Sequence, residues 1–339
     1  MSPSTPMRSP KPARRGTGVD DGVPGRMTIQ AGGRGTSLVP ADLQIRAGRR
    51  RRERIIRALF LGAAGMSIVI SGAIVLSLLG NALHFLVNVD PSALFTGGWF
   101  PRRGMYDIAT IVAGTLVISV VAMLVAAPLG LGAAVYLSEY AGARSRRLLK
   151  PALEILASIP SVVLGFFALT WISPNLVQPL TGAPLSNMAS AGLAVGILIT
   201  PLIASISEDA LHAVPSYLRE AAYGLGARRR TTSLRVVVPA AVSGIIAALL
   251  LGVSRAIGET MVVAIAAGGT GGSLFELNPL EPGQTMTAAM TALAIGSDSV
   301  RGEALTFESL FFVGLLLFAI TLSLNLVSDA FVRRVRRQY

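Results

Sequence analysis

The sequence has 339 residues, of which 52% are hydrophobic and only 14% charged, and its mean hydropathy is +0.62. Soluble domains carry about a quarter charged residues, so this deficit excludes a chain whose whole surface faces water. The chain has no cysteine, which excludes disulfides, thiolate metal sites and a cysteine nucleophile. Its two histidines, His84 and His212, lie too far apart in the sequence to indicate a metal site.

The N-terminal segment differs in composition from the rest of the chain. Residues 1–57 are rich in Arg, Pro, Gly and Ser and show no hydrophobic periodicity, which predicts a disordered basic cytoplasmic tail. The formal net charge of +12 could indicate a nucleic-acid partner. No base-stacking aromatic residues interleave the arginine run 49–52, however, so we expect no nucleic acid and interpret the run as an anchor at lipid headgroups.

Six apolar segments come close to or exceed the roughly 20 residues that a helix needs to cross a bilayer. They predict an all-α polytopic membrane protein, with spans at about residues 58–87, 108–136, 153–172, 189–206, 240–267 and 305–332. Pro128, Pro160 and Pro201 lie inside predicted spans, where each removes a backbone donor. Such bends suit helices that surround a cavity, although a packing kink explains them equally well.

Basic residues predict the orientation of these spans. Four segments hold 26 of the 30 lysine and arginine residues, and with six spans all four lie on one side of the membrane. These segments are the tail, residues 144–150, residues 219–235 and the basic C terminus, residues 333–339. The positive-inside rule therefore predicts a multi-pass protein whose N and C termini are both cytoplasmic.

The region between the last two predicted spans is expected to face outward. It begins with a glycine-rich stretch, Gly268 to Gly272, and contains an apolar stretch, Thr285 to Ile295, that is too short to cross the membrane. We predict a re-entrant or interfacial helix there, facing an external partner.

The segment from Glu220 to Pro239 lies between the fourth and fifth predicted spans. Val214 and Pro215 precede a predicted short helix, in which small residues at Ala221, Ala222 and Gly226 would allow close approach by a partner. The segment resembles the EAA loop of bacterial ABC importer permeases: Glu220, Ala221 and Ala222 are followed by three residues and Gly226, and nine more residues lead to the ending Val236, Val238, Pro239. Valine stands where the family pattern has Ile and Leu.

This resemblance implies the type I importer (MetI-like) permease architecture in a bacterial plasma membrane. It also implies that Glu220, Ala221, Ala222 and Gly226 dock on a separate ATPase and transmit its motion. The chain has no Gly-x-x-x-x-Gly-Lys-Ser/Thr pattern, and its only lysines are Lys11 and Lys150, so we expect no ATPase site of its own. ATP would be used by the partner, and this chain would bind no cofactor.

The fifth predicted span contains a pair of opposite charges, Arg255 and Glu259, four residues apart and so on one face of a continuous helix. An arginine at membrane depth is costly, by about 3 kcal/mol or more. The two charges could simply neutralise each other. Alternatively they form an anion site, because guanidinium donors match phosphate oxygens and Glu259 could orient Arg255 or accept a proton from the anion. We include Ser254 and Thr260 in this predicted substrate path.

The run from Arg255 to Met261 resembles phosphate importer permeases, as do Ile155 to Gly165, Ile199 to Ile203 and Asn278 to Thr287. Thr260 and Met261, together with Gln284 to Thr287, look like the C type of the two permeases that pair in such a transporter. The implied partners are an A-type permease, a dimer of ATP-binding subunits and an extracytoplasmic phosphate-binding protein.

Several alternatives stay open. Sulfate, molybdate and phosphonate importers share the coupling loop. A secondary anion transporter would leave that loop unexplained, and no convincing repeat is visible. The absence of Gly-x-Ser-x-Gly and His-Glu-x-x-His argues against an intramembrane hydrolase. A role in phosphate signalling is compatible with transport.

Overall fold

The computed structural model describes residues 47–269, 271–295 and 304–336. The chain divides into two compact units, residues 1–63 and 64–339. Most of the predicted tail, residues 1–46, lies outside the described residues, as do residues 337–339 of the predicted C terminus. Within residues 47–57 the expectation of an unstructured tail is wrong, because the first helix already begins at Ala47.

Helices dominate the described chain. The longer ones are α1 (Ala47–Asn88), α2 (Ile108–Val135), α3 (Ala143–Ala157), α6 (Met188–His212), α10 (Val242–Ile257) and α13 (Ala304–Arg336). The shorter ones are α4 (Ser161–Phe167), α5 (Gln178–Thr181), α7 (Ser216–Gly224), α8 (Arg229–Thr232), α9 (Val238–Ala240), α11 (Met261–Ala266) and α12 (Met286–Ile295). Three segments are π-helical. The first, Tyr136–Tyr140, extends α2; the second, Ala168–Val177, joins α4 to α5; and the third, Ser233–Val237, joins α8 to α9.

Three short strands form one small antiparallel sheet in the order β2, β1, β3: β1 (Gly98–Phe100), β2 (Met105–Tyr106) and β3 (Ser273–Leu274). Trp99 pairs with Tyr106 on one side and with Ser273 on the other. Short 3-10 helices at Pro91–Phe95 and Pro101–Arg103 flank β1. The sheet thus connects the loop before α2 to the loop after α11.

Five helical stretches are long and apolar enough to cross a membrane: Arg52–Asn88, Ile108–Tyr140, Ser161–Thr181, Met188–His212 and Leu305–Ala330. A sixth is obtained if Arg229–Ala240 and Val242–Ile257, which meet at a bend of 71°, are taken as one span. Within the described residues, the protein is therefore an α-helical polytopic membrane protein with five or six spans.

The third predicted span, 153–172, is wrong in its start. α3 ends at Ala157, and a new helix begins at Ser161, directly after Pro160. A proline disfavours helical backbone in the residue before it and has no N–H to continue the hydrogen-bond pattern, so Pro160 begins a helix instead of bending one. Its carbonyl accepts from Val163 N and Leu164 N.

The fifth predicted span, 240–267, is broken. α10 ends at Ile257, residues 258–260 are not helical, and α11 begins at Met261. The sequence had suggested that Arg255 and Glu259 share one face of a continuous helix. This prediction is wrong, because only Arg255 is helical and Glu259 lies in the break. Pro128 and Pro201, by contrast, do lie inside α2 and α6, as predicted.

The core of the larger unit is the contact between α2 and α6, which is built from small residues. A Cβ added to Gly196 would lie 2.8 Å from the carbonyl oxygen of Ala122, and one added to Gly130 would lie 2.8 Å from Cβ of Ile203. Small residues let helix backbones approach closely, and in lipid this close packing is a main source of helix association.

The larger unit has two ends that differ in composition, the basic end and the sheet end. The basic end holds residues 136–160 and 207–241, with α3, α7, α8 and α9. The sheet end holds residues 89–107, 182–187 and 267–285, with the three strands. α2 and α6 both run from the sheet end to the basic end, so they pack against each other in parallel.

Candidate functional site

The predicted coupling helix is present at the basic end as α7. Pro215 precedes it, and Gly226, with a φ of +78°, stands in the left-handed region just after its end. Glycine adopts that backbone conformation at no steric cost, so Gly226 reverses the chain away from the helix.

The surface of α7 combines one buried alanine with exposed groups. Ala222 is buried, whereas Glu220, Ala221 and Gly226 are exposed. Leu225, which follows the helix, is 90% exposed. Exposed apolar side chains beside small residues are suited to covering by a partner protein.

Arg219, the residue before Glu220, attaches α7 to the rest of the basic end. Its guanidinium lies 2.8 Å from the Glu139 carboxylate and donates to the carbonyl oxygens of Val214, at 2.6 Å, and Leu211, at 2.8 Å. Ser233 donates to the other oxygen of Glu139 at 3.4 Å. Glu139 is buried, so this arrangement joins the end of α2, the end of α6, the coupling helix and the chain that follows α8.

A second buried carboxylate, Glu208, joins α3 to α6. It is 1% exposed, and its Oε1 lies 2.5 Å from a guanidinium nitrogen of Arg146. Lys150 Nζ lies 3.3 Å from Oε2 and 4.0 Å from Oδ1 of Asp209. Arg146 and Lys150 are one turn apart on α3, so both reach the same side of α6.

A cavity of about 360 Å³ lies beside this cluster, and Arg255 lines it. Its wall is formed mainly by α3, α6 and α10: Lys150, Leu153, Glu154, Ala157, Leu198, Pro201, Leu202, Ser205, Glu208 and Arg255. Within the described part of the chain, Arg255 has no ion pair or hydrogen-bonded side-chain partner, so the neutralising pair considered from the sequence is not formed.

Glu259 lies apart from Arg255, in the break between α10 and α11. It is 8% exposed, and its Oε1 accepts from Val262 N at 3.4 Å, which caps the start of α11. Its carbonyl oxygen accepts from Thr287 Oγ1 of α12 at 2.7 Å. The carboxylate thus caps α11, while the backbone carbonyl of the same residue joins the break to the short apolar helix α12.

The two remaining path residues occupy separate positions. Ser254 lies 3.4 Å from Asn325 Oδ1 of α13, and Thr260 donates to Gly258 O at 3.3 Å. The structure therefore places one of the four predicted path residues, Arg255, on the cavity wall, and distributes the others around the break.

Sequence reasoning missed Glu139, Glu208, Arg219 and Lys150 as parts of one functional region. A usable signal existed, because Glu139 and Glu208 lie just beyond the ends of two predicted spans, on the side of the membrane where most of the basic residues are predicted. A carboxylate in such a place is rarely buried without a paired cation.

The predicted short helix near Thr285 to Ile295 is present as α12, and it packs inside the larger unit. The first four residues of α12 are all buried. At its start, Met286 N donates to Thr115 Oγ1 of α2 at 3.0 Å. Gly114 meets the Gln284 backbone so closely that a Cβ there would clash with it.

This architecture, five or six apolar helices with a short helix and a cavity between them, defines a membrane permease. Residues 126–337 match the family described as the binding-protein-dependent transport system inner membrane component, and the chain belongs to that family. The family is one of transport subunits in the membrane.

Relatives and solved structures extend this result. The phosphate transport system permease protein PstC of Mesorhizobium japonicum is 32% identical over 302 residues, which are 84% of this chain and 90% of that protein. A probable ABC transporter permease protein, YqgH of Bacillus subtilis, is 34% identical over 211 residues, or 61% of this chain and 68% of that one. The resemblance to C-type phosphate importer permeases is thereby confirmed.

Among solved structures, a bacterial alginate ABC transporter in complex with an alginate pentasaccharide-bound periplasmic protein matches with a TM-score of 0.62. The match covers 84% of this chain and 96% of that one at 15% identity, so it bears on the fold alone. It agrees with the ABC importer permease fold that the sequence predicts.

Proposed function

We propose that this chain is the C-type permease subunit of an ATP-driven phosphate importer. The observation that carries the proposal is the position of Arg255, which pairs with no side chain among the described residues and lies on the wall of a cavity formed by α6, α10 and α3. A guanidinium that is exposed on a cavity wall between spanning helices favours an anionic occupant, and its planar donors match the oxygens of phosphate. The names of relatives such as PstC of Mesorhizobium japonicum support phosphate as that anion.

In this proposal energy comes from partner subunits. An A-type permease completes the pathway, a dimer of ATP-binding subunits hydrolyses ATP, and an extracytoplasmic phosphate-binding protein delivers the substrate. The basic end faces the cytoplasm, as the distribution of lysine and arginine supports. This chain contributes no ATPase site and no cofactor.

Coupling is proposed to start at α7. The exposed Glu220, Ala221 and Gly226, together with the small Ala222, dock on the ATPase. Arg219 then passes the movement to α2 and α6, because its bonds to Glu139, Leu211 and Val214 connect the docking helix to both.

Substrate is tested by uptake of labelled phosphate and labelled sulfate in a strain that lacks only this chain. Restoring the chain is expected to restore phosphate uptake, while Arg255→Ala is expected to abolish it and leave the complex assembled.

Glu259→Gln keeps an oxygen for Val262 N, so it is expected to fold and to change the pH dependence of uptake. Restored sulfate uptake without phosphate uptake would identify a different oxyanion, and normal uptake by Arg255→Ala would remove Arg255 from the path.

A further inference from the structure

We propose that Lys150 is a second anion-binding position, at the release end of the cavity that Arg255 lines. The inference deepens the proposed function and rests on it, because the ligand is the transported oxyanion. Lys150 belongs to α3, a helix outside the long spans, and it lies outside both the coupling segment and the predicted substrate path around Arg255.

The two cations lie at different depths of the cavity. Gly252 of α10 packs against Ile203 and Ile199 of α6, so Arg255, one turn further along α10, lies near the level of Leu198. Lys150 instead lies beside Glu208, ten residues along α6 from Leu198 and therefore roughly 15 Å away along its axis. An anion that leaves Arg255 toward the basic end would thus meet Lys150.

The charges around Lys150 leave it able to exchange partners. Glu208 already has Arg146 at 2.5 Å, so its carboxylate keeps a cation when Lys150 moves. Lys150 is 38% exposed and holds Glu208 at the longer distance of 3.3 Å, with the exposed Asp209 at 4.0 Å. A lysine ammonium is a point charge with three donors on a flexible stem, which suits such an exchange.

Two carboxylates, Glu154 and Glu208, also line the cavity. They compete with the anion for Lys150 and so keep its binding weak. Weak binding is what a transport path requires, because a site near the release end must bind the anion briefly and then let it dissociate. If the cluster served only to join α3 to α6, Arg146 alone would neutralise Glu208, and neither Lys150 nor the adjoining cavity would be needed.

The absence of natural cysteine allows a direct test in the assembled, ATP-free importer. Ser205→Cys, an exposed position on the cavity wall, is treated with a water-soluble thiol reagent in the presence of inorganic phosphate or of chloride at equal ionic strength. Phosphate at about twice its dissociation constant should slow the modification about threefold. The added change Lys150→Ala should remove this protection.

Arg147→Ala is the matched control, since Arg147 is an exposed cation on the same helix outside the cavity wall. It should leave the protection in place, and Lys150→Arg should retain it. Protection that survives Lys150→Ala, or a Ser205→Cys that phosphate does not protect, overturns the inference. A Ser205→Cys that the reagent never reaches also overturns it, because a sealed cavity cannot release an anion.

Uptake kinetics give a second readout. Lys150→Ala should lower the maximal rate of phosphate uptake about tenfold and lower KM by a similar factor, because slower release leaves capture, and therefore the ratio of the maximal rate to KM, unchanged. A rate equal to that of Arg147→Ala contradicts the role of Lys150 alone. An importer that takes up no phosphate at all, or that works normally with Arg255→Ala, contradicts the proposed function instead.

Discussion

The two ends of the larger unit are held together by different kinds of contact. At the basic end, buried carboxylates and cations from separate elements pair, as Glu139 does with Arg219 and Glu208 with Arg146. At the sheet end, neutral hydrogen bonds, backbone pairing and aromatic packing predominate, as in the edge-to-face contact of Phe85 with Tyr106 at 5.1 Å. Next to this end, the one contact between a basic and an acidic side chain among the described residues joins His84 Nδ1 to Glu308 Oε2 at 2.7 Å, and His84 is largely exposed.

This difference in contacts predicts that the two ends differ in how readily their contacts rearrange when a partner moves the helices. Neutral contacts such as those around Asn187, which is fully buried and bonds to Ser173, Pro184 and Ser190, favour one fixed arrangement. Ion pairs between separate helices can exchange partners, and they connect the coupling helix to the spans. Under the proposed function, the contacts of the basic end would transmit movement, whereas those of the sheet end would keep one fixed arrangement.

The largest expected effect is that of Arg219→Ala at the basic end. It leaves Glu139 buried without its cation, so we expect a loss of about 3–5 kcal/mol in stability and of most uptake. The double change Glu139→Leu with Arg219→Met removes both charges and should recover much of the stability, measured by fluorescence-detected thermal unfolding. Uptake should remain low, because the bonds from Arg219 to Leu211 and Val214 are still absent.

The exposed Arg228 provides the control for this experiment, since Arg228→Ala removes an equal charge from the same loop. It should change neither stability nor uptake appreciably. Full recovery of uptake by the double variant would mean that Arg219 only stabilises the fold and transmits nothing.

An intermediate effect is expected for Asn187→Ala at the sheet end. Its side chain caps α6 through Ser190 N and donates to Ser173 Oγ and Pro184 O, so the loss should be about 1–3 kcal/mol in thermal unfolding. Asn187→Ser keeps a neutral acceptor for Ser190 N and should lose less. Phosphate uptake per assembled complex should not change, and a fall in uptake without a fall in stability would contradict the contrast between the ends.

The smallest effect is expected at Asp90, also at the sheet end. Hydrogen bonds from Ser92 N and Oγ lower the pKa of the Asp90 carboxyl below its ordinary value. The carboxylate therefore stabilises the fold at neutral pH, and this contribution disappears as the pH falls through the lowered pKa. Asp90→Asn should unfold at a slightly lower temperature than the parent at pH 7, with the difference vanishing at strongly acidic pH. A difference that persists there would assign the effect to packing.

The long apolar runs and the coupling loop could be predicted from the sequence because both are local signals. A helix in lipid satisfies its backbone by itself, so 20 apolar residues suffice to predict it, and α7 follows from Pro215, its small residues and Gly226. The predicted start of the third span was wrong because Pro160 can either bend a helix or begin one. The break after Ile257 carries no proline, and neighbours such as Thr287, which bonds to Glu259 O, stabilise it.

The sequence by itself determined the class of this protein through its apolar helices and through the segment that resembles the EAA loop of importer permeases, and it predicted the orientation of the basic loops. Only the tertiary structure decided which charges meet. Glu139 and Arg219 are 80 residues apart, and Arg146 and Glu208 are 62 apart. Pairings over such distances depend on how α2, α3 and α6 pack. The periodicity of one helix indicates its buried face but does not indicate which side chain of another helix that face contacts. The same packing separated Arg255 from Glu259 and set Arg255 on the cavity that leads to Lys150.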